Sequence, residues 1–192
     1  MLVAIRARAL RWAYQVLQQP LVVLDTETTG LKWYDQVVQV AVINQAGEPL
    51  LFHTVKPTVP ISRGASRVHG ITADRVQNAP AFAEIYPELV SVLADRPIIA
   101  YNADFDRRML NQTCAAYGLQ QFPPLPWHCA MLRFAEYYGQ WNPARGSFRW
   151  QRLSDACAFL EIPSIGAHNA LADAQMTLRL VQRMAELYTG EK

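Results

Sequence analysis

The sequence predicts a mixed α/β fold, in which helices flank a sheet whose first three strands are antiparallel. Three short runs rich in β-branched residues, joined by short connections, precede the long helical patterns. From about residue 72, apolar residues recur at helical spacing, with one short apolar run between the helices. Strands first, followed by helices around one further strand, indicate a single mixed sheet covered by helices.

The first 20 residues predict an amphipathic helix that ends at Pro20. Arg6, Arg8 and Arg11 interrupt its apolar residues, and no A-x-A-like cleavage site follows, so a secretory signal is not predicted. A role at a membrane surface or in targeting stays open for this helix. Residues 21–190 contain no repeat and no linker, which predicts one domain.

Three strands are predicted after Pro20. They are LVVLDTE (21–27), QVVQVAVINQAGE (36–48), which ends in a turn that contains Gly47, and LLFHTVKP (50–57), which stops at a proline. Short connections between strands favour hairpins, because parallel neighbours need long crossovers. The segment therefore predicts an antiparallel meander.

The rest of the chain is predicted to be mainly helical, with RPIIAYN (96–102) as a fourth strand. The helices are AFAEIYPELVSVLA (81–94), ADFDRRMLNQTCAAYG (103–118), HCAMLRFAEYY (128–138), RLSDACAFLEI (152–162) and NALADAQMTLRLVQRMAELY (169–188). Pro87 lies inside the first of these helices and weakens that prediction, whereas Gly118 is a good helix stop. The segments LQQFPPLP (119–126) and GQWNPARGSFRW (139–150) are predicted to be loops.

Bulk composition limits the classes of protein. Hydrophobic residues make up 51% of the 192 residues, which is enough for a sizeable core, and the formal net charge of +2 is compatible with nucleic acid without being diagnostic. Cys114, Cys129 and Cys157 show no CxxC spacing, so they predict reduced thiols and a cytoplasmic location. No apolar run approaches the roughly 20 residues of a membrane span, so no membrane partner is expected.

Two acidic side chains stand at the end of the first predicted strand. Asp25 and Glu27 are two residues apart, so on a strand they point to the same face. Carboxylate oxygens are the ligands that Mg²⁺ and Mn²⁺ prefer, and a cation would relieve the repulsion between the two carboxylates. The alternative is a solvated strand end that Thr28, Thr29 and Gly30 follow as an ordinary turn.

Two further segments place titratable groups at predicted helix starts. Asp104 and Asp106 follow the fourth strand, and His168 and Asp173 precede or open the last helix. Five positions along one helix differ by about 140° in azimuth, so His168 and Asp173 cannot share a helical face. If they act together, His168 must lie on the loop before the helix, where a histidine can serve as a general base.

Taken together, these motifs resemble those of the DEDDh 3′→5′ exonucleases. LDTETTGL resembles the first motif of that family, NADFD the second, and HNALADA the H-x4-D of the third. RVHGIT, APAFAEIYPELV and RLSDACAFLEI are weaker family-like segments between the motifs. The resemblance covers roughly residues 21–185, and the three motifs occur in the order found in the family. Three motifs in order are far more specific than any one of them. It implies a ribonuclease H-like fold.

The resemblance also implies a set of functional residues. Two divalent ions, Mg²⁺ or Mn²⁺, would be held by four acids, namely Asp25, Glu27, Asp106 and Asp173. Asp25 would bridge the two ions, His168 would be the general base, and nucleoside 5′-monophosphates would leave from a 3′ end. Asp104 falls on a position that the family leaves free, so it is assigned to the helix start. Many members carry a histidine where this chain has Tyr101, and this departure is expected to affect packing rather than activity.

Substrate contacts are expected at Thr28, Leu31, Trp33, His69 and Asn102. The expected partner is single-stranded nucleic acid or a 3′ end, with DNA preferred to RNA, and association with a polymerase is a further expectation. Two alternatives stay open: an RNA-directed 3′→5′ exonuclease, and a catalytically silent module that binds nucleic acid or a polymerase. The presence of all five catalytic residue types argues against the silent module.

One predicted loop, residues 139–152, combines Arg145, Arg149 and Arg152 with Trp141, Phe148 and Trp150, and it contains no acidic residue. Basic residues interleaved with aromatic rings suit single-stranded nucleic acid. A long connection whose aromatic rings cap the core would show the same composition, and this second interpretation is the one we expect.

Overall fold

A five-stranded mixed sheet forms the centre of the molecule, and the computed structural model describes residues 2–163, 166 and 168–190. Its strands are β1 (Val22–Thr28), β2 (Val37–Ile43), β3 (Pro49–Thr54), β4 (Ile98–Ala100) and β5 (Trp127–Cys129). They lie in the order β3-β2-β1-β4-β5. The pairs β1–β2 and β2–β3 are antiparallel, whereas β4 is parallel to β1 and β5 is parallel to β4. The predicted meander and the predicted mixed sheet are confirmed.

The helices flank this sheet on both faces. They are α1 (Leu2–Val16), α2 (Arg63–His69), α3 (Ala73–Val76), α4 (Phe82–Leu93), α5 (Ala103–Ala116), α6 (Ala130–Tyr138), α7 (Leu153–Phe159) and α8 (Ala170–Gly190). A short hairpin, β6 (Trp141–Asn142) and β7 (Ser147–Phe148), lies between α6 and α7. Among the residues described, no helix has the length and apolar character needed to cross a membrane.

Side-chain alternation along β1 divides the core into two layers. Val22 and Leu24 pack with residues of α4 and α5 on one face of the sheet. Val23 packs on the other face with residues of α1, α6 and α8. Because side chains alternate along a strand, Asp25 and Glu27 continue the face that α8 covers, and Thr26 continues the face that α5 covers.

The N-terminal helix is part of this core. Ala9, Leu10, Ala13 and Val16 are buried and belong to the same hydrophobic cluster as the inward face of α8. Burying four apolar side chains stabilises the helix against α6 and α8 by several kcal/mol in order of magnitude. The predicted amphipathic helix is confirmed, although it ends at Val16 and the residues before Pro20 form a turn.

Three of the differences from the sequence prediction concern α2, β5 and the loop after α6. Helix α2 was not predicted, because it buries no residue and has no amphipathic pattern; Ser62 caps its start and Gly70 ends it with a φ of 69°. Strand β5 was predicted to open the following helix, but pairing with β4 overrides that local pattern. The loop after α6 contains the β6–β7 hairpin. Helix α4 contains Pro87, on its exposed face, and continues to Leu93, so the helix predicted over this segment is confirmed.

Candidate active site

Three of the predicted acids converge where β1 meets α8. Asp25 and Glu27 lie on one face at the C-terminal end of β1, and Asp173 lies in the first turn of α8. Each offers one carboxylate oxygen, and these three atoms all lie within 4.8 Å of one another. A cluster of hard oxygen donors at this spacing can hold a divalent cation.

Gln39 fixes the start of α8 beside this cluster. It lies opposite Glu27 in the β1–β2 ladder, and its Oε1 accepts a hydrogen bond of 3.0 Å from the backbone N–H of Ala170. One of the unpaired amides at the N-terminus of α8 is thereby satisfied. Gln39 was missed in the sequence, although a glutamine within the apolar run VVQVAVI was a signal for it.

Asp106 approaches the cluster from the opposite layer of the fold. It is buried in the first turn of α5, and its Oδ1 accepts a hydrogen bond of 2.8 Å from the Thr26 hydroxyl. Burial is the largest cause that raises the pKa of Asp25 and the charge of Asp106 is the next, so the two carboxylates interact. Asp104 is exposed and pairs with Arg107 at 3.1 Å. The two aspartates of the NADFD motif therefore have different environments, as the resemblance implied.

The electrostatics of the four acids favour bound protons or a bound cation. Burial, reinforced by Asp173 and Asp106, raises the pKa of Glu27 to about 8. Burial raises the pKa of Asp106 to about 7, against the opposing hydrogen bond from Thr26. The pKa of Asp25 and that of Asp173 are raised too, with burial as the largest cause. A cation placed among these groups would favour their ionised forms.

His168 lies two residues before the first residue of α8 and outside the helix, as predicted. Its φ of +66° is in the left-handed region, and its backbone N–H donates to Asp173 Oδ1 at 3.3 Å. That hydrogen bond and the histidine's charge oppose the rise in the pKa of Asp173. The side chain of His168 is exposed, so it is open to a substrate that lies on the acids.

A cavity of about 390 Å³ opens beside Glu27. Thr28, Leu31 and His69, three of the five predicted substrate contacts, line it. Residues of α2 and the ring of Phe105 complete the wall, so the helix that the sequence analysis missed forms one side of the cleft. Cavities of this size accommodate small ligands.

The other two predicted substrate contacts, Trp33 and Asn102, are not among the residues that line this cavity. Trp33 is 82% exposed, and its ring meets Tyr34 edge-on at 5.3 Å. Asn102 is exposed at the N-terminus of α5, where its carbonyl accepts the backbone N–H of Phe105 and of Asp106. Substrate contacts at Trp33 and Asn102 stay a prediction, because neither residue lines the cavity beside Glu27.

His69 is held by two hydrogen bonds within the protein. Its Nδ1 accepts the backbone N–H of Ile71 at 3.0 Å, so its Nε2 carries a proton and donates to the Thr28 carbonyl at 3.1 Å. Burial lowers the pKa of His69, which keeps the ring neutral. The ring therefore supports the end of β1 while one of its faces lines the cavity.

The turn after β1 is fixed by a buried carboxylate. Asp35 accepts hydrogen bonds from the Thr29 hydroxyl at 2.7 Å and from the Lys32 backbone N–H at 2.7 Å. A Cβ on Gly30 would lie 2.5 Å from Asp35 Oδ2, so only glycine fits there. The alternative of an ordinary solvated turn is wrong, because Thr28, Thr29 and Asp35 are all buried.

Tyr101, the departure from the family pattern, is a packing residue. It is buried in the layer that contains Val23, and its hydroxyl donates to the carbonyl of Gln151 at 2.8 Å. Burial raises its pKa far above the ordinary tyrosine value. Tyr101 therefore packs in the core as expected, and its lack of effect on activity stays a prediction.

Comparison with known proteins decides the family. The family model described as "Exonuclease" (RNase_T) matches residues 22–181. A protein of Escherichia phage 186, "Uncharacterized exonuclease CP81", is 37% identical over 188 residues, which are 95% of this chain and 94% of that protein. The chain belongs to the DEDDh exonuclease family. It is accordingly a nuclease domain with the ribonuclease H-like fold.

Two further similar proteins extend the comparison. A PolC-type DNA polymerase III of Thermotoga maritima is 30% identical over 172 residues, but these are 86% of this chain and only 12% of that polymerase. The solved structure of exonuclease X in complex with 5′ overhanging duplex DNA is 26% identical, with a TM-score of 0.62. The matched region is 86% of this chain and 92% of the exonuclease X chain.

Proposed function

We propose that this exonuclease hydrolyses phosphodiester bonds from the 3′ end of DNA and releases nucleoside 5′-monophosphates, with divalent metal ions as cofactors. The observation that carries the proposal is the cluster of Asp25, Glu27 and Asp173, whose ligand oxygens lie within 4.8 Å of one another. Asp106, in the first turn of α5, adds the fourth carboxylate.

The chemistry requires positive charge at this cluster. Attack on a phosphodiester brings an electron-rich oxygen to an anionic phosphate, and four carboxylates alone would repel both. Divalent ions, when bound, offset the charges of the attacking and leaving oxygens and lower the pKa of water. Asp25, Glu27, Asp106 and Asp173 would hold two such ions, Mg²⁺ or Mn²⁺. After burial, the charges of the other three acids raise the pKa of Asp25, so Asp25 interacts with all of them.

His168 is proposed as the general base. Its side chain is exposed beside Asp173, so an imidazole nitrogen can take the proton of the attacking water and release it to solvent. The left-handed backbone at His168 aims its own N–H back at Asp173 Oδ1, which leaves the side chain free of the helix. His69 is unsuited to this role because both of its ring nitrogens are engaged within the protein.

The terminal nucleotide is proposed to enter the cavity between β1 and α2. Leu31, Val68 and Phe105 offer apolar surface to a base, and Thr28 and His69 line the same cavity together with Glu27. Preference for DNA rests on exonuclease X, whose structure contains DNA, and on the polymerase III relative. The three free thiols, Cys114, Cys129 and Cys157, suit a reducing compartment such as the cytoplasm.

The direct test compares matched DNA and RNA oligonucleotides labelled at the 5′ or at the 3′ end, with Mg²⁺, Mn²⁺ or chelator. We expect the 5′-labelled strand to shorten stepwise and the 3′ label to leave at once as a mononucleotide. Chromatography against standards should identify nucleoside 5′-monophosphates. Degradation from the 5′ end, or cleavage in excess chelator, would overturn the proposal; faster cleavage of RNA would overturn the preference for DNA.

A further inference from the structure

The segment 139–152, which contains β6 and β7 and is called the β6–β7 hairpin from here on, caps the core only in part. Trp141 and Phe148 line an apolar cavity of about 380 Å³ with Leu2 and Ile5 of α1, as expected. Trp141 is 51% exposed and Trp150 is 54% exposed, and neither belongs to a hydrophobic cluster of the described residues. The ring of Trp141 meets Phe148 edge-on at 5.2 Å across the hairpin. Trp150 is therefore the aromatic side chain of this segment that stays open to solvent without a ring partner among the described residues.

The hairpin also carries uncompensated positive charge. Arg145, Arg149 and Arg152 are exposed, and none of them forms an ion pair or a side-chain hydrogen bond with the part of the chain that the structure describes. Other arginines, such as Arg8, Arg107 and Arg183, pair with acids. Because the hairpin contains no acidic residue, its charges remain available to an anionic partner.

The charged and aromatic groups meet around one concave surface. A cavity of about 270 Å³ is lined by Asn142, Arg145, Ser147, Phe148, Arg149 and Trp150. It combines cationic side chains, an amide, a hydroxyl and aromatic rings. Stacking on aromatic rings together with phosphate contacts from arginine is how proteins hold single-stranded nucleic acid without sequence preference.

The hairpin is tied to the edge of the catalytic site. The Tyr101 hydroxyl donates to the carbonyl of Gln151, the residue after Trp150. The β1–β4 register pairs Val22 with Ile98 and Val23 with Ile99, and its continuation brings Tyr101 level with Asp25. Tyr101 shares the face of Val23, which is also the face of Asp25. The backbone at Gln151, next to Trp150, therefore lies on the same side of the sheet as the acids and at the same end.

We infer that the β6–β7 hairpin binds the single-stranded part of the substrate on the 5′ side of the nucleotide being removed. Arg145 and Arg149 contact phosphates and Trp150 stacks on a base. This inference rests on the proposed function, because it assigns the upstream strand of a substrate whose 3′ end lies at Asp25. A strand held there stays bound between successive cleavages, so long substrates gain more than short ones.

The test uses Arg145→Ala/Arg149→Ala and Trp150→Ala, with Arg96→Ala/Arg183→Ala as the matched control. The control also removes two exposed arginines, but Arg96 precedes the N-terminal end of β4 and Arg183 is paired with Glu186. Binding of a 5′-labelled single strand is measured by fluorescence anisotropy in chelator, and hydrolysis of a trinucleotide and of a long oligonucleotide is measured with metal.

The hairpin variants should each bind the long strand roughly tenfold more weakly, which is typical for loss of one stacked base or a pair of phosphate contacts. The arginine variant should also reduce the slope of log affinity against log salt by about 1.4. The advantage of long over short substrate in kcat/KM should fall in both hairpin variants, and the control should match the wild type.

Hairpin variants that bind and degrade the long strand like the wild type would overturn the inference while leaving the proposed function intact. A wild-type protein that binds but removes nothing from 3′ ends would instead defeat the proposed function. Equal weakening in the control would also overturn the inference, because general charge rather than the hairpin would then hold the strand. Circular dichroism of every variant checks that the fold is kept.

Discussion

The metal-free protein should lose stability as the pH rises through the neutral range, because its acids hold protons in the folded state. The pKa of Glu27 is raised by burial and by Asp173 and Asp106 to about 8, whereas an unfolded glutamate titrates near 4.5. Between these values the folded state binds one proton more than the unfolded state. The titration of Glu27 therefore leaves the free energy of unfolding unchanged below about pH 4.5 and lowers it as the pH rises from there to about pH 8.

The size of the effect follows from the shift. Each pH unit over which the extra proton is retained changes the free energy of unfolding by about 1.4 kcal/mol, so raising the pH from about 6.5 to about 8 costs roughly 2 kcal/mol from Glu27. For a chain of this length that is a decrease in Tm of about 4–8 °C. The lowered pKa values of His69 and His128 act in the opposite sense, mainly below about pH 6.5.

Thermal unfolding over this pH range, in chelator and with saturating Mg²⁺, measures the effect. Mg²⁺ should remove most of the decline, because a bound cation stabilises the ionised carboxylates without protons. Glu27→Gln should reduce the slope of the metal-free curve, since glutamine does not titrate, and the raised pKa values of Asp25, Asp106 and Asp173 should leave a smaller slope. The reasoning would be refuted if the metal-free wild type were as stable at about pH 8 as at about pH 6.5, or if Glu27→Gln retained the same slope.

Three further predictions concern single residues. His168→Ala should keep Mn²⁺ binding but lose about 10²–10⁴-fold in single-turnover hydrolysis, because a general base is removed and no ligand is. Gln39→Leu should weaken Mn²⁺ binding by about 10–100-fold in calorimetric titration, because the start of α8, and with it a ligand, loses its anchor. Gly30→Ala should destabilise the fold by about 1–3 kcal/mol in urea unfolding, because its Cβ would collide with Asp35.

Each of these has a defined contrary result. Near-normal hydrolysis by His168→Ala would remove the histidine from the mechanism. Unchanged Mn²⁺ affinity in Gln39→Leu would mean that α8 is held by its packing alone. For Gly30→Ala the control is Gly64→Ala in the same cleft, where a Cβ meets nothing closer than 3.9 Å. Equal stability of these two variants would contradict the steric account.

Much of the site was predictable because its chemistry depends on local spacing. Asp25 and Glu27 share a face through strand alternation, and the helix geometry that separates His168 from Asp173 required the histidine to precede the helix. The structure contains both arrangements. The central meander was predictable for the same reason, since alternation and short turns are encoded within a few residues.

Other features depend on contacts between distant segments. Gln39 acts through an amide of α8 that is 131 residues away in sequence, and strand β5 exists because β4 pairs with it. Helix α2 is anchored where the Ser62 backbone N–H donates to the Thr29 carbonyl. Trp150 in the β6–β7 hairpin looked like a core residue by composition, but exposure is a tertiary property that composition does not report.

The most direct test of the metal centre compares Asp106→Asn with Asp104→Asn. Both substitutions remove one carboxylate from the same turn of α5, but Asp106 is buried against Thr26, whereas Asp104 is exposed and paired with Arg107. Single-turnover hydrolysis of a 5′-labelled strand is measured across a Mn²⁺ titration. Asp106→Asn should lose more than about a hundredfold, since even partners of metal ligands are worth about 10–100-fold, and Asp104→Asn should match the wild type. Equal activities for the two variants would contradict a catalytic centre built on Asp25, Glu27, Asp106 and Asp173.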